Sequence, residues 1–361
     1  MKPTVQITPG KVISQRFVIS KKIGEGSFGC VYQGYDIQND QNVAIKLEEF
    51  DKNDDKMKKE SLLKEAKLLY ELKGEKGIPQ MSYFVKTETK RILVMSLLGI
   101  NLETLFQKQK KRFYLKTVIS LADQMLTRLE QIHAKDIIHR DLKPENFLIS
   151  NDPSDELIYL IDFGLSKKYK VKGGTHTPFK QNVGLVGTAR YASLNAHMGN
   201  DQSRKDDLES LGYILIYFLK GSLPWMNINA SNKEEKHKMI IEKKKNTVFQ
   251  KLCEGLPFEF EQYLNYVRSL RFEEDPNYNY MKTLFRGVSL RNHFENTFEW
   301  RSAKNISDKN IEEKECQLMN LDDNTSSSKK SHFKYQRSKI FAHSFYQPVK
   351  NSFVILIKNV Y

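Results

Sequence analysis

The run His139-Arg140-Asp141-Leu142-Lys143-Pro144-Glu145-Asn146 brings a carboxylate, an ammonium and an amide within a few residues of one another. Asp141 can orient a hydroxyl or accept its proton, Lys143 can balance charge on a phosphoryl group in transit, and Asn146 can offer an oxygen to a metal ion. Further on, Ile161-Asp162-Phe163-Gly164 sets a second carboxylate on a turn after an apolar strand. Mg2+ takes oxygen ligands and keeps waters, so one carboxylate, one amide oxygen and the phosphates of a nucleotide make a sufficient site. Upstream, Val43-Ala44-Ile45-Lys46 ends an apolar strand in a lysine. An ammonium there is costly to bury alone and needs anionic partners, namely phosphate oxygens and a carboxylate. Glu60 and Glu65 on the next helical stretch both qualify.

Gly24-Glu25-Gly26-Ser27-Phe28-Gly29-Cys30-Val31 places three glycines between strand-like runs. Backbone N–H groups can close over phosphates there without a Cβ in the way. Alone, the motif also fits an ordinary glycine-rich hairpin; a dinucleotide fold would need it to open a helix, whereas a strand follows. In this order, the four elements supply the positioning and charge neutralisation that a loose phosphoryl-transfer transition state requires.

Such groups need a scaffold to bring them together. Residues 17–19, 31–32, 42–46 and 91–95 read as short strands, with a helix over 57–72 between them. Helical patterns then take over at 102–109, 117–134, 205–219 and 258–271. The expected fold class is α+β: a small β-rich lobe (about 17–95) before a larger α-helical lobe (about 99–300), in one domain over 17–300. Residues 1–16 read as an N-terminal extension. Residues 301–361 read as a basic, largely flexible tail, polar and low in complexity over 304–339, with an apolar stretch at 353–357.

A chain of 361 residues can bury a large core. Its 58 Lys and Arg against 44 Asp and Glu give a net charge of +14, but the basic residues are scattered among acidic ones. That pattern suits solvated faces and acidic or phosphorylated protein partners better than specific nucleic-acid binding, for which neither an RNP-type aromatic motif nor zinc spacing exists. The run Lys243-Lys244-Lys245 could assist nuclear entry or surface docking. Three cysteines, far apart and odd in number, favour a reducing compartment. With no secretory leader, lipidation motif or apolar run near bilayer length, the expectation is a soluble protein of the cytoplasm and/or nucleus without a transmembrane segment, active as a monomer.

The four chemical elements match the protein-kinase signature set. Gly187-Thr188-Ala189-Arg190-Tyr191-Ala192-Ser193-Leu194-Asn195 stands where Ala-Pro-Glu is usual, followed by Gln202-Ser203-Arg204-Lys205-Asp206-Asp207-Leu208-Glu209-Ser210-Leu211-Gly212-Tyr213. With Gly221-Ser222-Leu223-Pro224-Trp225, Tyr263-Leu264-Asn265-Tyr266 and Leu270-Arg271-Phe272-Glu273-Glu274, these runs closely resemble the casein kinase 1 family of protein Ser/Thr kinases, from about residue 17 to 300.

The resemblance implies a bilobal protein-kinase fold, ATP and Mg2+ as cofactors, and Ser/Thr substrates carrying phosphate or acid three residues upstream of the acceptor. It implies catalytic roles for Lys46, Asp141, Lys143, Asn146 and Asp162, with Asn146 and Asp162 as metal ligands, and it selects Glu65 as the partner of Lys46. Ile23, Gly24, Gly26, Gly29, Val31, Ala44, Lys46 and Leu148 would line the nucleotide site. Met95, Ser96 and Leu98 would form the adenine hinge, with the Ser96 carbonyl and Leu98 amide as hydrogen-bonding groups. Arg190 and Lys236 match the family's basic pocket for the upstream phosphate. The sequence departs from the pattern at Ser96, usually acidic, at Leu194, usually isoleucine, at Asn227, usually glycine, and in an insertion over 52–59. A catalytically dead scaffold would lack Lys46, Asp141, Asn146 or Asp162, and all are present. In the tail, acidic Asp322 and Asp323 precede Thr325 and Ser326, and Ser328 and Ser331 continue the same spacing, so autophosphorylation there is expected.

Overall fold

The computed structural model describes residues 9–26, 29–50, 61–171, 173–295, 298 and 300. The chain divides into two compact units, the first carrying both lobes; in the second the rings of Phe298 and Trp300 stack 4.6 Å apart. The glutamate candidate Glu60, the insertion and the tail phosphoacceptors lie outside the described residues.

An antiparallel sheet comes first. Its strands are β1 (Val12–Ile13), β2 (Phe17–Gly26), β3 (Gly29–Asp36), β4 (Gln41–Glu49) and, after helix α1 (Ser61–Glu71), β5 (Met81–Lys86) and β6 (Lys90–Ser96). Across the sheet the order is β1-β2-β3-β4-β6-β5. β1 lies ahead of residue 17, within the stretch expected to be an extension.

The period-two alternation of strands sorts their side chains. On β4, Val43, Ile45 and Leu47 join Phe17, Ile19, Tyr32, Ile92 and Val94 in an apolar core. Ala44 and Lys46 are thereby sent to the other face, at the interlobe cavity. On β3, Cys30 and Tyr32 enter the core, while Gly29, Val31 and Gln33 face the cavity. The pairings Val31↔Lys46 and Lys46↔Leu93 fix this register, and a slip of one residue would bury the ammonium in the core.

The rest is mostly helical. Helices α2 (Leu102–Lys108) and α3 (Leu115–Ala134) precede strands β7 (Ile137–Ile138), β8 (Phe147–Ile149), β9 (Ile158–Leu160) and β10 (Lys167–Lys168), with β7 paired to β10 and β8 to β9. Then come α4 (Leu194–His197), α5 (Arg204–Lys220), α6 (Lys233–Asn246), α7 (Phe249–Leu252), α8 (Phe258–Ser269) and α9 (Tyr278–Arg291). A small sheet lobe followed by a larger helical lobe is the α+β arrangement expected from sequence.

Helix α5 is the scaffold of the second lobe. Asp206 starts it by accepting from the Ser203 N–H at 2.8 Å, and Gly221 ends it at φ 81°, a left-handed conformation that glycine adopts without strain. Between these caps nearly every residue is buried: the N-terminal turns enclose Arg204, Asp206, Asp207 and Glu209, and the later turns are apolar. Phe106 and Phe113 pack on Phe218, with centroids 5.4 and 5.0 Å away, and dock the α2 region against α5.

Candidate active site

A cavity of about 890 Å³ opens between the lobes. Ile23, Gly24, Gly29, Val31 and Ala44 line it from the sheet, Met95 and Ser96 from the end of β6, Leu98 from the segment joining the lobes, and Leu148 from β8. Gly26 stands just beyond this wall, paired with Gly29 at the hairpin tip. At Gly29 (φ 134°) a Cβ would lie 2.1 Å from the Leu47 carbonyl oxygen, so only glycine lets the hairpin lie this close to β4. Gly99 lets the joining segment pass similarly close to Ser150, and its N–H donates to the Ile149 carbonyl at 3.0 Å. The Ser96 side chain turns away from adenine chemistry, since its hydroxyl accepts from the Gln80 N–H at 3.1 Å.

The charged residues named from sequence converge on the same cavity: Lys46, Glu65, Asp141, Lys143, Asn146 and Asp162 all line it. Lys46 Nζ donates to Glu65 Oε2 at 2.7 Å and to Asp162 Oδ1 at 2.9 Å. Burial opposes the charge on Lys46, but Glu65 and Asp162 outweigh it and hold the ammonium above its ordinary pKa. Burial would also raise Asp162, yet Lys46 keeps its carboxyl below the usual range. Glu65 is wholly buried and pushed up by that burial, with Lys46 opposing.

Asp162 sits at φ 67° on its turn and Arg140 at φ 67° before Asp141. Left-handed backbone at non-glycine residues costs on the order of 1 kcal/mol or more and persists only where surrounding contacts impose it. The contacts are visible. Asp207 of α5 accepts the backbone N–H groups of His139 at 2.7 Å and Arg140 at 2.8 Å. His139 Nε2 meets the Ile161 carbonyl oxygen at 2.9 Å, tying the loop of Asp141 to the turn of Asp162.

Asp141 itself is held at both oxygens. Lys143 Nζ donates to Oδ2 at 2.7 Å and the Thr188 hydroxyl to Oδ1 at 2.7 Å. Gly187 (φ 101°) brings Thr188 there; a Cβ on it would lie 2.3 Å from the Arg140 carbonyl oxygen. Asn146 Nδ2 donates to the Asp141 carbonyl at 2.8 Å, which commits its nitrogen and reserves its oxygen. Among the described residues no group of three or more His, Cys, Asp or Glu is gathered to hold a metal. Asp162 and Asn146 therefore offer one carboxylate and one amide oxygen, a donor set that suits Mg2+ completed by phosphate oxygens.

Sequence reasoning assigned no role to Asp207 or Thr188. Asp206-Asp207 reads as a pair of acids opening a helix, and only the structure separates them: Asp206 is the cap and Asp207 the anchor of the loop. Asp207 also meets His133 Nε2 at 2.9 Å, and His133 Nδ1 meets the Tyr278 hydroxyl at 2.6 Å. Burial lowers the His133 pKa, so the neutral ring donates to Asp207 from Nε2 and accepts from Tyr278 at Nδ1.

The segment around Arg190 has its own anchors in place of Ala-Pro-Glu. The Leu194 N–H donates to Glu209 Oε1 at 3.0 Å, and Arg268 holds the same carboxylate at 2.8 Å. Trp225 Nε1 donates to the Arg190 carbonyl at 2.7 Å. Arg190 and Lys236 are both exposed, the first on this segment and the second on α6. Lys244 corrects the reading of residues 243–245 as a surface basic run: it is 1% exposed, because the helical turn that leaves Lys243 and Lys245 at the rim points Lys244 inward under the segment. No helix among the described residues is long and apolar enough to cross a membrane.

A family model described as the protein kinase domain matches residues 17–269, a span that covers β2 to β6, the cavity and every charged group gathered around it. The chain belongs to the protein kinase family, whose members transfer phosphate from ATP to proteins.

Proposed function

We propose that this kinase phosphorylates serine and threonine hydroxyls, and that it prefers an acceptor preceded three residues upstream by a phosphorylated or acidic residue, as the casein kinase 1 family does. The observation that carries the catalytic part is Asp141, gripped at both oxygens inside the cavity that also holds Lys46, Asn146 and Asp162.

Ile23, Val31, Ala44 and Leu148 offer apolar surface to adenine, and the backbone of Ser96 and Leu98 offers it hydrogen-bonding groups. Lys46, fixed by Glu65, presents its ammonium to the phosphates. Asp162 and Asn146 would hold Mg2+, which when bound neutralises phosphate charge. The acceptor hydroxyl oxygen bonds to the γ-phosphorus while the bond from that phosphorus to the bridging oxygen breaks and ADP leaves. Asp141 takes the hydroxyl proton, and Lys143 balances charge on the moving group. Outside the cavity, Arg190 and Lys236 would receive the upstream phosphate through charge-assisted hydrogen bonds that an aspartate makes less well.

One assay tests both parts. Purified protein with Mg2+ and γ-labelled ATP is given peptides that differ only three residues before the acceptor, carrying phosphoserine, aspartate or alanine. Label should appear in that order of preference, and Asp141→Asn should leave only background. Equal labelling by the Asp141→Asn protein removes the catalytic assignment, and equal labelling of the three peptides removes the substrate preference.

A further inference from the structure

Lys244 is buried with no carboxylate among its hydrogen-bond partners, and that burial pushes its amine down from 10.5 to about 7. Its acceptors are backbone carbonyls: Ala192 at 2.6 Å, Ala189 at 3.2 Å and, more weakly, Arg190 at 3.4 Å. Its other side rests on the rings of Trp225, 4.8 Å from the centroid, and Tyr213, at 5.0 Å. Burying a cation in this way costs free energy that an apolar side chain of the same length would not. The return is geometric, since carbonyls on both sides of Arg190 converge on one point of α6, the helix that also carries Lys236.

Two of those carbonyls have a second donor. Ala189 O meets His197 Nε2 at 2.8 Å, and Arg190 O accepts from Trp225. The Ala192 carbonyl depends on Lys244 more heavily, with the shortest of the three contacts. Loss of the ammonium would strip that carbonyl of its close donor while leaving the rings, and most of the packing, in place.

We propose that Lys244 is a positioning residue for protein substrates: it clamps α6 to the backbone on either side of Arg190 and thereby fixes how this segment meets a bound peptide. The inference rests on the reading of Arg190 as a substrate-facing residue. The apolar residues that would face adenine come from other elements, the sheet, the segment joining the lobes and β8, so ATP affinity should change little when this clamp is lost.

The test is a split between two Michaelis constants. Lys244→Met keeps the stem against Trp225 and removes the donor; Lys244→Gln keeps a neutral donor. With the phosphoserine peptide, Lys244→Met should raise the peptide KM about tenfold and Lys244→Gln about threefold, with the KM for ATP within about twofold of wild type. If Lys244→Met does not yield folded protein, Lys244→Gln decides by the same comparison. A folded variant with the wild-type peptide KM, or one whose peptide and ATP constants rise together, overturns the proposal. Failure of the phosphate preference is seen separately, as wild-type protein treating the phosphoserine and alanine peptides alike. The effect of Lys244→Met on peptide KM then still settles the role of Lys244.

Discussion

In the proposed reaction Asp141 receives a proton only if its carboxylate faces the incoming hydroxyl, and its two oxygens are steered by different parts of the chain. Lys143 is a neighbour on the same loop, whereas Thr188 arrives from a distant segment through Gly187. Thr188→Val keeps the volume and β-branching of threonine but removes the donor, so Asp141 should turn toward Lys143. Misplacement of a catalytic group by about 1 Å can cost on the order of a hundredfold in rate, so kcat should fall by about ten- to a hundredfold while the KM for ATP stays near wild type. Steady-state kinetics on a folded variant check this. An unaltered kcat would mean that Lys143 alone suffices. Gly187→Ala is expected to be worse, because its Cβ would collide with the Arg140 carbonyl.

At the scale of elements, α5 is the platform on which the reaction site is assembled, and Asp207 is the contact between them. Burial would raise the Asp207 carboxyl, but His133 and the loop amides outweigh it and hold it below its usual range. Asp207→Asn exchanges one acceptor oxygen for a donor and so sets an N–H against an N–H in a dry site. We expect a loss of about 3 kcal/mol in urea unfolding, together with a fall in kcat as Arg140 leaves its left-handed conformation. A variant as stable and active as wild type would show that β7 and β10 hold the loop without help. Strands β2, β3, β4 and β6 and helices α1, α2, α3, α5 and α8 were legible, because apolar residues recur at the periods that strands and helices impose, whereas β5 and α9 went unnamed. Helix α6 was not legible, since Ile240 and Lys244 are its only buried residues and they leave no apolar stripe to see. Lys244 looks like its neighbours until the helix is built. Lys46, Asp141, Lys143, Asn146 and Asp162 could be named because chemistry demands particular types at particular spacings, whereas Glu65 and the apolar wall of the cavity came from the resemblance to casein kinase 1. Asp207 and Thr188 act through contacts 67 and 47 positions away, which no local pattern records.

For the molecule as a whole, the link of greatest consequence is the ion triad that joins the lobes: Lys46 from β4, Glu65 from α1 and Asp162 from the turn after β9. Removing its cation strands Glu65 in the interior beside a second carboxylate. Lys46→Met should therefore abolish phosphotransfer and also destabilise the fold, by about 3–5 kcal/mol for breaking a buried pair from one side. The double variant Lys46→Met/Glu65→Leu removes the stranded charge, so it should regain much of that stability and no activity. The pH dependence should change with it. In the wild type, Asp162 is lowered by Lys46, which gives stability that is present above the ordinary carboxyl pKa and is lost on acidification through the lower folded value. In Lys46→Met, the burial and the Asp162 carboxylate that already raise Glu65 in the wild type lose the opposition of Lys46, so the folded state binds a proton still more readily than the unfolded chain. Stability then increases as pH falls through the raised value toward 4.5, the ordinary value for Glu65, and is lost as pH rises. Urea midpoints for the three proteins at mildly acidic and neutral pH measure both effects. A double variant no more stable than Lys46→Met, with both showing the wild-type pH trend, would mean that Lys46 serves the nucleotide and contributes nothing to joining the lobes.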